Sequence, residues 1–403
     1  MGVNGSPGGS TVRSADDSIS GRRWRELLDR DQTSWPVAIE EWERAAHDVL
    51  EPGPRGYVFG GAGAGATRDA NVQAFASWRL TPRVLATPSA RDLSVTVLGQ
   101  RFPTPIFLAP VGVLTAAHPD GDRGAAAAGH DLGMTYLVST AGSEPMESLM
   151  AATPGLSAWY QLYWINSREL TASFVRRAAA AGYSALVLTV DTPMLGWREH
   201  DLANRYSPFS DGHGIGQFVS DPIFRSLLDF DADDDPGRAG REMMKLFVNP
   251  GLSWSDLSWL RELTDLPIVL KGVVRGDDAR RAVDAGVDGL IVSNHGGRQV
   301  DGSIPALEAL LSVRAAVGPD LPVLLDGGVR RGSDVIKAIA LGADAVLVGR
   351  PYVYGLAVGG RAGVHEVLSN LLAETDSVLA LCGYAALSEI DRDLVVAQGC
   401  GGR

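Results

Sequence analysis

Cysteine is scarce: the 403 residues hold only Cys382 and Cys400, both near the C-terminus. Two thiols cannot make a disulfide scaffold or a cysteine-rich zinc site, and no bound metal is expected. Long apolar runs are missing too. None reaches the ~18 residues of a membrane span, and the polar N-terminus lacks a signal-peptide core. Positive charge is in deficit, with 36 Lys and Arg against 48 Asp and Glu and a net charge of −12. That balance argues against nucleic-acid and anionic-membrane partners. The expectation is a soluble cytoplasmic protein.

Glycine, by contrast, is abundant. The 48 glycines are about 12% of the chain, against an average near 7%. Outside the first ten residues they cluster at the ends of apolar runs, where a chain leaves a strand and turns or approaches a ligand. Apolar residues make up 45% of the chain, enough for a large core.

Residues 1–34 are polar and read as a loose leader. A helix is expected over 36–50, a glycine-rich turn over 57–63, a helix through 71–78 and a strand at 93–98. Eight short apolar, β-rich runs follow, at 105–110, 134–140, 158–163, 185–191, 267–273, 289–295, 322–328 and 345–350. Helical stretches at 168–181, 277–285, 305–317 and 333–341 lie between them. Near-continuous apolar strands alternating with helices imply a parallel sheet covered by helices. Eight units favour a closed (β/α)₈ TIM barrel, an α/β fold, with an open doubly wound sheet as the alternative. Residues 35–384 would form this domain. The rhythm breaks once, over 192–266, an insertion after the fourth strand placed to act as a lid or as a packing or subunit contact. It contains the acidic stretch 229–235 and a helix near 254–263. A last helix over 364–381 should pack outside the barrel, leaving 385–403 as a tail.

Catalysis in such barrels occurs at the C-terminal ends of the strands. That rim carries Pro110 and Gly112, Ser139, Gln161 and Tyr163, Thr189 and Asp191, Lys271, Ser293 and His295, Asp326, and Gly349 and Arg350. After strands seven and eight come Asp326-Gly327-Gly328-Val329-Arg330-Arg331-Gly332-Ser333 and Gly349-Arg350-Pro351. Glycine-rich loops there commonly bind phosphate through backbone N–H groups, and Arg330 or Arg350 can neutralise it. A phosphate-bearing cofactor is therefore expected. In Ser293-Asn294-His295-Gly296-Gly297-Arg298-Gln299, His295 can accept a proton and Arg298 can bind a carboxylate bidentately. Asp191 could orient the imidazole. Lys271 follows three buried aliphatics and needs a negative partner, either an anionic cofactor or a structural carboxylate.

These motifs, with Leu108-Ala109-Pro110-Val111-Gly112, Tyr160-Gln161-Leu162-Tyr163 and Thr189-Val190-Asp191-Thr192-Pro193, resemble the FMN-dependent α-hydroxy-acid oxidase family. The resemblance covers residues 42–384. It implies that His295 is the active-site base, supported by Asp191, and that Arg198 and Arg298 hold the substrate carboxylate. Tyr57 and Tyr163 match substrate-binding tyrosines, and Lys271 matches the lysine beside the flavin N1/C2 edge. FMN contacts are implied at Pro110, Val111, Gly112, Ser139, Gln161, Thr189, Lys271 and Ser293. The phosphate end falls on Asp326, Gly327, Gly328, Arg330, Gly349 and Arg350.

Ala141 stands where the glycolate oxidase branch carries a tryptophan, which favours lactate or a bulkier substrate. Further motifs, including Gly196-Trp197-Arg198 and Trp254-Ser255-Asp256-Leu257-Ser258-Trp259, resemble the lactate 2-monooxygenase subfamily. The implied reaction is oxidation of a small L-2-hydroxy acid with molecular oxygen, with or without decarboxylation to acetate, CO₂ and water. A simple oxidase giving keto acid and peroxide, and a dehydrogenase using another acceptor, are the alternatives. The family also implies a homotetramer or homo-octamer. Two further classes compete. A nucleotide-processing barrel would need a nucleophilic cysteine near the rim, and both cysteines lie after the barrel. A degenerate barrel scaffold would lack some rim groups.

Overall fold

The computed structural model describes residues 18–30, 35–86 and 90–398. Twelve strands form among them. The chain first makes β1 (Trp78–Leu80) and a hairpin of β2 (Val95–Val97) and β3 (Gln100–Phe102). Eight parallel strands follow: β4 (Ile106–Leu108), β5 (Tyr136–Ser139), β6 (Ala158–Tyr163), β7 (Leu186–Thr189), β8 (Ile268–Val273), β9 (Gly289–Val292), β10 (Val323–Asp326) and β11 (Ala345–Val348). Pairing of β11 with β4 closes them into a barrel. All eight apolar runs become barrel strands because each is hydrophobic on both faces, one toward the barrel axis and one toward the helices. Last comes β12 (Val395–Ala397), antiparallel to β1.

Alternation along the strands divides the core in two. Phe107, Leu137, Trp159, Val187, Val269, Ile291, Leu324 and Leu347 fill the barrel interior together with Val97 and Phe102 of the hairpin. The other set, including Ile106, Leu108, Tyr136 and Leu290, packs against the surrounding helices. The Phe102 ring lies 4.9 Å from Phe107 and 6.1 Å from Trp159. The hairpin therefore plugs the N-terminal end of the barrel, and the site must form at the opposite rim.

Several expectations change. Within the supposed leader, Ile19–Leu28 is a helix docked on the last helix by Arg23 and Arg30 to Glu366 and by Ser20 to Asp376; residues 1–17 and 31–34 lie outside the described residues. The next helix is Ile39–Val49. The segment read as a turn from Tyr57 is instead the end of a Pro52–Phe59 helix, and the turn begins at Gly60. The last helix runs over Arg350–Leu381, with a break at Gly359 and Gly360, where the Trp35 ring leaves no room for a side chain at the first and Asp120 and His118 leave none at the second. Residues 385–398 are not a free tail: Leu387 and Leu394 are buried and β12 pairs with β1. Residues 399–403, with Cys400, are outside the described set.

The 192–266 insertion is itself packed. It forms short helices at Glu199–Asn204, Gly216–Val219, Pro222–Ser226, Pro236–Phe247 and Asp256–Glu262. Phe209, Phe218, Phe224, Met243 and Phe247 are buried. Arg177 of the Arg168–Ala181 helix ties it down through Asp221 and the Gln217 carbonyl.

Truncating Trp159, whose indole fills the barrel floor, should cost about 3–5 kcal/mol. Chemical denaturation of Trp159→Ala against the native chain checks this, and a loss below about 1 kcal/mol would contradict the plugged interior.

Candidate active site

The site is built where the strands run out. Beyond β7 the chain delivers Asp191, and beyond β9 it delivers His295, which sits at φ 59° between Asn294 and Gly296. A left-handed backbone is uncommon for a residue with a Cβ, and such strain tends to be kept where a side chain must be aimed. Nδ1 of His295 lies 2.9 Å from Asp191 Oδ1, a carboxylate that can only accept, so Nδ1 carries the hydrogen and Nε2 is left as the acceptor. Nε2 lies 3.3 Å from the Tyr163 hydroxyl. Thr192 donates to the same Asp191 oxygen at 2.9 Å. Burial holds the His295 pKa below its ordinary value, with Asp191 partly opposing it and Lys271 and Arg198 reinforcing it. Burial works against the Asp191 carboxylate, but His295 and Lys271 outweigh it and keep it ionised. Burial and the Asp191 charge push the Tyr163 phenol up, so it stays a donor.

Lys271, on β8, is 5% exposed. Its Nζ is 3.0 Å from Asp326 Oδ2 and donates to Ser293 Oγ at 2.8 Å, while Ser293 donates to Asp326 Oδ1 at 2.6 Å. Burial opposes the charge on Lys271, but Asp326 and Asp191 overcome it and raise the pKa. The structural carboxylate is thus present, and it is Asp326. Asp326 lines the cleft with its side chain committed to Lys271 and Ser293, so a contact from it at the expected phosphate end would run through its backbone. Ser139 donates to Gln161 at 3.0 Å and Gln161 to Thr189 at 3.0 Å, a relay across the ends of β5, β6 and β7.

The other residues expected at the phosphate end line the same cleft. Gly327 and Gly328 have φ of 97° and 95°, and a Cβ at Gly328 would stand 2.2 Å from the Asn71 carbonyl oxygen. Only glycine fits that approach. Gly349 precedes the Arg350–Leu381 helix. Arg350 donates to the carbonyls of Val58, Gly296 and Gly60 at 3.0, 3.0 and 2.7 Å. Burial and the neighbouring Arg298, Arg330 and Arg68 guanidiniums press its pKa down to about 9.

Arg298 donates through Nη1 to the carbonyls of Tyr57 and Gly60, and its guanidinium carbon lies 4.4 Å from the Tyr57 ring centroid. Its Nη2 is buried without a hydrogen-bond partner. Arg198 joins it from the insertion side, donating to the Arg298 carbonyl at 3.3 Å and to Gln299 Oε1 at 3.2 Å.

These groups surround one cleft, partly open to solvent. Tyr57, Tyr163, Arg198, His295, Arg298, Lys271, Pro110, Val111, Gly112, Ser139, Asp326, Gly327, Gly328, Arg330, Gly349 and Arg350 line it. Asp191 and Ser293 stand one hydrogen bond behind lining groups, as do Gln161, behind Ser139, and Thr189 behind it in turn. Sequence reasoning missed Phe209 and Phe247, which line the cleft from the insertion; the Phe247 ring lies 4.8 Å from Tyr163. It also missed Thr192, although its hydroxyl adjoins Asp191 in the motif.

The donor set suits FMN and an organic acid. Arg298 and Arg350 are partly buried cations without a carboxylate partner among the described residues, Gly327 and Gly328 line the same cleft, and Lys271 lies deep in it. Residues 46–397 match the model of the FMN-dependent dehydrogenase family, and the chain belongs to that family. It is similar to L-lactate oxidase of Lysinibacillus sphaericus, 40% identical over 88% of this chain and 92% of that protein. Mouse 2-hydroxyacid oxidase 1 is 41% identical, over 89% of this chain and 96% of its own. A crystal structure of mandelate oxidase superposes with a TM-score of 0.77 at 36% identity, covering 89% of this chain and 98% of that one. FMN is therefore the cofactor, and oxidation of 2-hydroxy acids is the reaction class.

Two outcomes follow. Gly328→Ala should purify without the yellow FMN colour while keeping its far-UV dichroism; full FMN content would contradict the cradle. His295→Gln should lower kcat/KM by about 10²–10⁴. In the native enzyme kcat/KM should fall as pH drops through an apparent pKa below ~6.5, because protonation removes the base. Asp191→Asn should move that acid limb to lower pH, since the carboxylate favours the imidazolium; a shift the other way would contradict the pairing.

Proposed function

We propose that the protein oxidises a short, lactate-like L-2-hydroxy acid and passes the electrons to molecular oxygen. The observation that carries this reading is the buried, unpartnered Nη2 of Arg298, set in the same cleft as the His295 Nε2 acceptor. A carboxylate on the Arg298–Arg198 pair is oriented bidentately, which presents the neighbouring Cα–OH group to His295 and Tyr163. His295 Nε2 takes a proton from that group, and Asp191 stabilises the imidazolium through Nδ1. Bound FMN supplies the two-electron acceptor. Pro110, Val111, Gly112 and Ser139, backed by Gln161, Thr189 and Ser293, would hold its ring, with Lys271 along the edge where negative charge gathers. Gly327, Gly328, Arg330, Gly349 and Arg350 would hold its phosphate.

Substrate size follows from the wall. Ala141 leaves space beside the site, but Gly214 of the insertion presses on Val113 and Ala141, and Phe209 packs at the same point. The room is apolar and bounded, suited to a methyl or a modest side chain. The L-lactate oxidase relative supports the lactate-like choice. A second reading rests on the same closure. Phe209 and Phe247 screen the substrate end from water, which suits retention of keto acid and peroxide until they combine to give acetate, CO₂ and water.

Aerobic turnover with lactate, glycolate and mandelate, measuring peroxide, keto acid and CO₂ together, tests both readings. Lactate should have the highest kcat/KM. Pyruvate with equimolar peroxide marks the oxidase, and acetate without free peroxide marks retention. FMN reduction by lactate that does not reoxidise in air would refute oxygen as acceptor.

A further inference from the structure

Gln299 closes the motif that carries His295 and Arg298, yet nothing above gives it a task. Its side-chain amide makes four contacts, all to one segment. Nε2 donates to the carbonyls of Asp191 and Met194, each at 2.9 Å. Oε1 accepts from the Gly196 N–H at 3.3 Å and from Arg198 Nη2 at 3.2 Å. One amide therefore uses both donor hydrogens and both acceptor lone pairs on the stretch joining the base's carboxylate to the substrate arginine. Backbone packing repeats the arrangement. A Cβ at Gly196 would lie 2.4 Å from the Arg298 carbonyl oxygen and 2.7 Å from that of Gln299, so the two loops meet without room for a side chain. Gly63 N–H donates to the Trp197 carbonyl at 2.8 Å, and Ala62 N–H to that of Gly297 at 2.8 Å, extending the seam to the glycine-rich turn.

The stretch has few other anchors. Met194 and Trp197 are largely exposed, at 67% and 70%, and the Arg198 guanidinium has no carboxylate partner among the described residues. Its side-chain hydrogen bonds go to the Arg298 carbonyl and to Gln299.

We propose that Gln299 is a positioning residue that clamps residues 191–198 onto the Arg298 loop and thereby fixes Arg198 for the substrate carboxylate. It acts on binding of the acid group and leaves proton removal to His295 and Asp191. The inference rests on the carboxylate role of Arg198, so its test includes that residue.

Gln299→Met keeps the side-chain length and removes the hydrogen bonds; Gly196→Ala opens the same seam from the other side. Both should raise KM for the hydroxy acid and the inhibition constant of oxalate at least tenfold, in parallel. kcat should stay within about threefold, with FMN content and the acid limb of the pH profile unchanged. Gln299→Glu cannot donate to the Asp191 and Met194 carbonyls and should not rescue. Arg198→Met is measured alongside. If it leaves KM unaltered, the carboxylate reading fails. If it raises KM while Gln299→Met does not, the clamp alone is wrong. Loss of kcat and FMN with KM unaltered would also overturn it, since that is the signature of a merely structural residue.

Discussion

Lys271, Arg298 and Arg350 carry positive charge into a barrel mouth only partly open to water, and desolvating an unpaired cation costs several kcal/mol. The fold meets this in two ways. Lys271 has a carboxylate partner in Asp326, joined through Ser293. Among the described residues, Arg298 and Arg350 donate only to backbone carbonyls, those of Tyr57, Val58, Gly60 and Gly296. Carbonyl dipoles orient a guanidinium without cancelling its charge. Under the proposed function, these two charges meet the anionic cofactor tail at one end of the cleft and the acid group at the other. The Pro52–Phe59 helix, the turn after it and the left-handed 295–297 segment all serve to bring those carbonyls to the arginines.

The barrel itself was legible because its strands are buried on both faces and therefore appear as near-continuous apolar runs. The rim residues were legible because they stand where those runs stop. What escaped depends on distant partners. Asp326 sits in a glycine-rich string that reads locally as a phosphate loop, while its partner Lys271 lies on another strand. The Pro52–Phe59 helix was hidden by Pro52, Gly53, Pro54 and Gly56, poor helix formers tolerated because prolines fit a first turn and the barrel mouth packs the rest. The Ile19–Leu28 helix was hidden for a different reason. It is held largely by ion pairs to Glu366 and hydrogen bonds to Asp376, partners that lie more than 300 residues away in the chain.

The insertion illustrates a third case. Most of its helices are too short to leave a sustained periodic pattern, the twelve-residue Pro236–Phe247 helix excepted, yet the insertion contributes Phe209, Phe247, Leu195 and Arg198 to the cleft. Arg177 and the Phe218–Phe224 contact fix its far side, so the wall against the substrate rests on a packed base. The segment nearest Arg198 is held differently, by hydrogen bonds across a glycine seam.

The β1–β12 pairing joins positions 78–80 to 395–397, nearly the full length of the described chain apart. Without residues 392–397, β1 would present an unpaired edge and Trp78 would lose the Arg392 guanidinium that lies 4.5 Å from its ring. Fraying of that one short strand would therefore bare an indole and a row of free backbone groups together, a place for foreign strands to add.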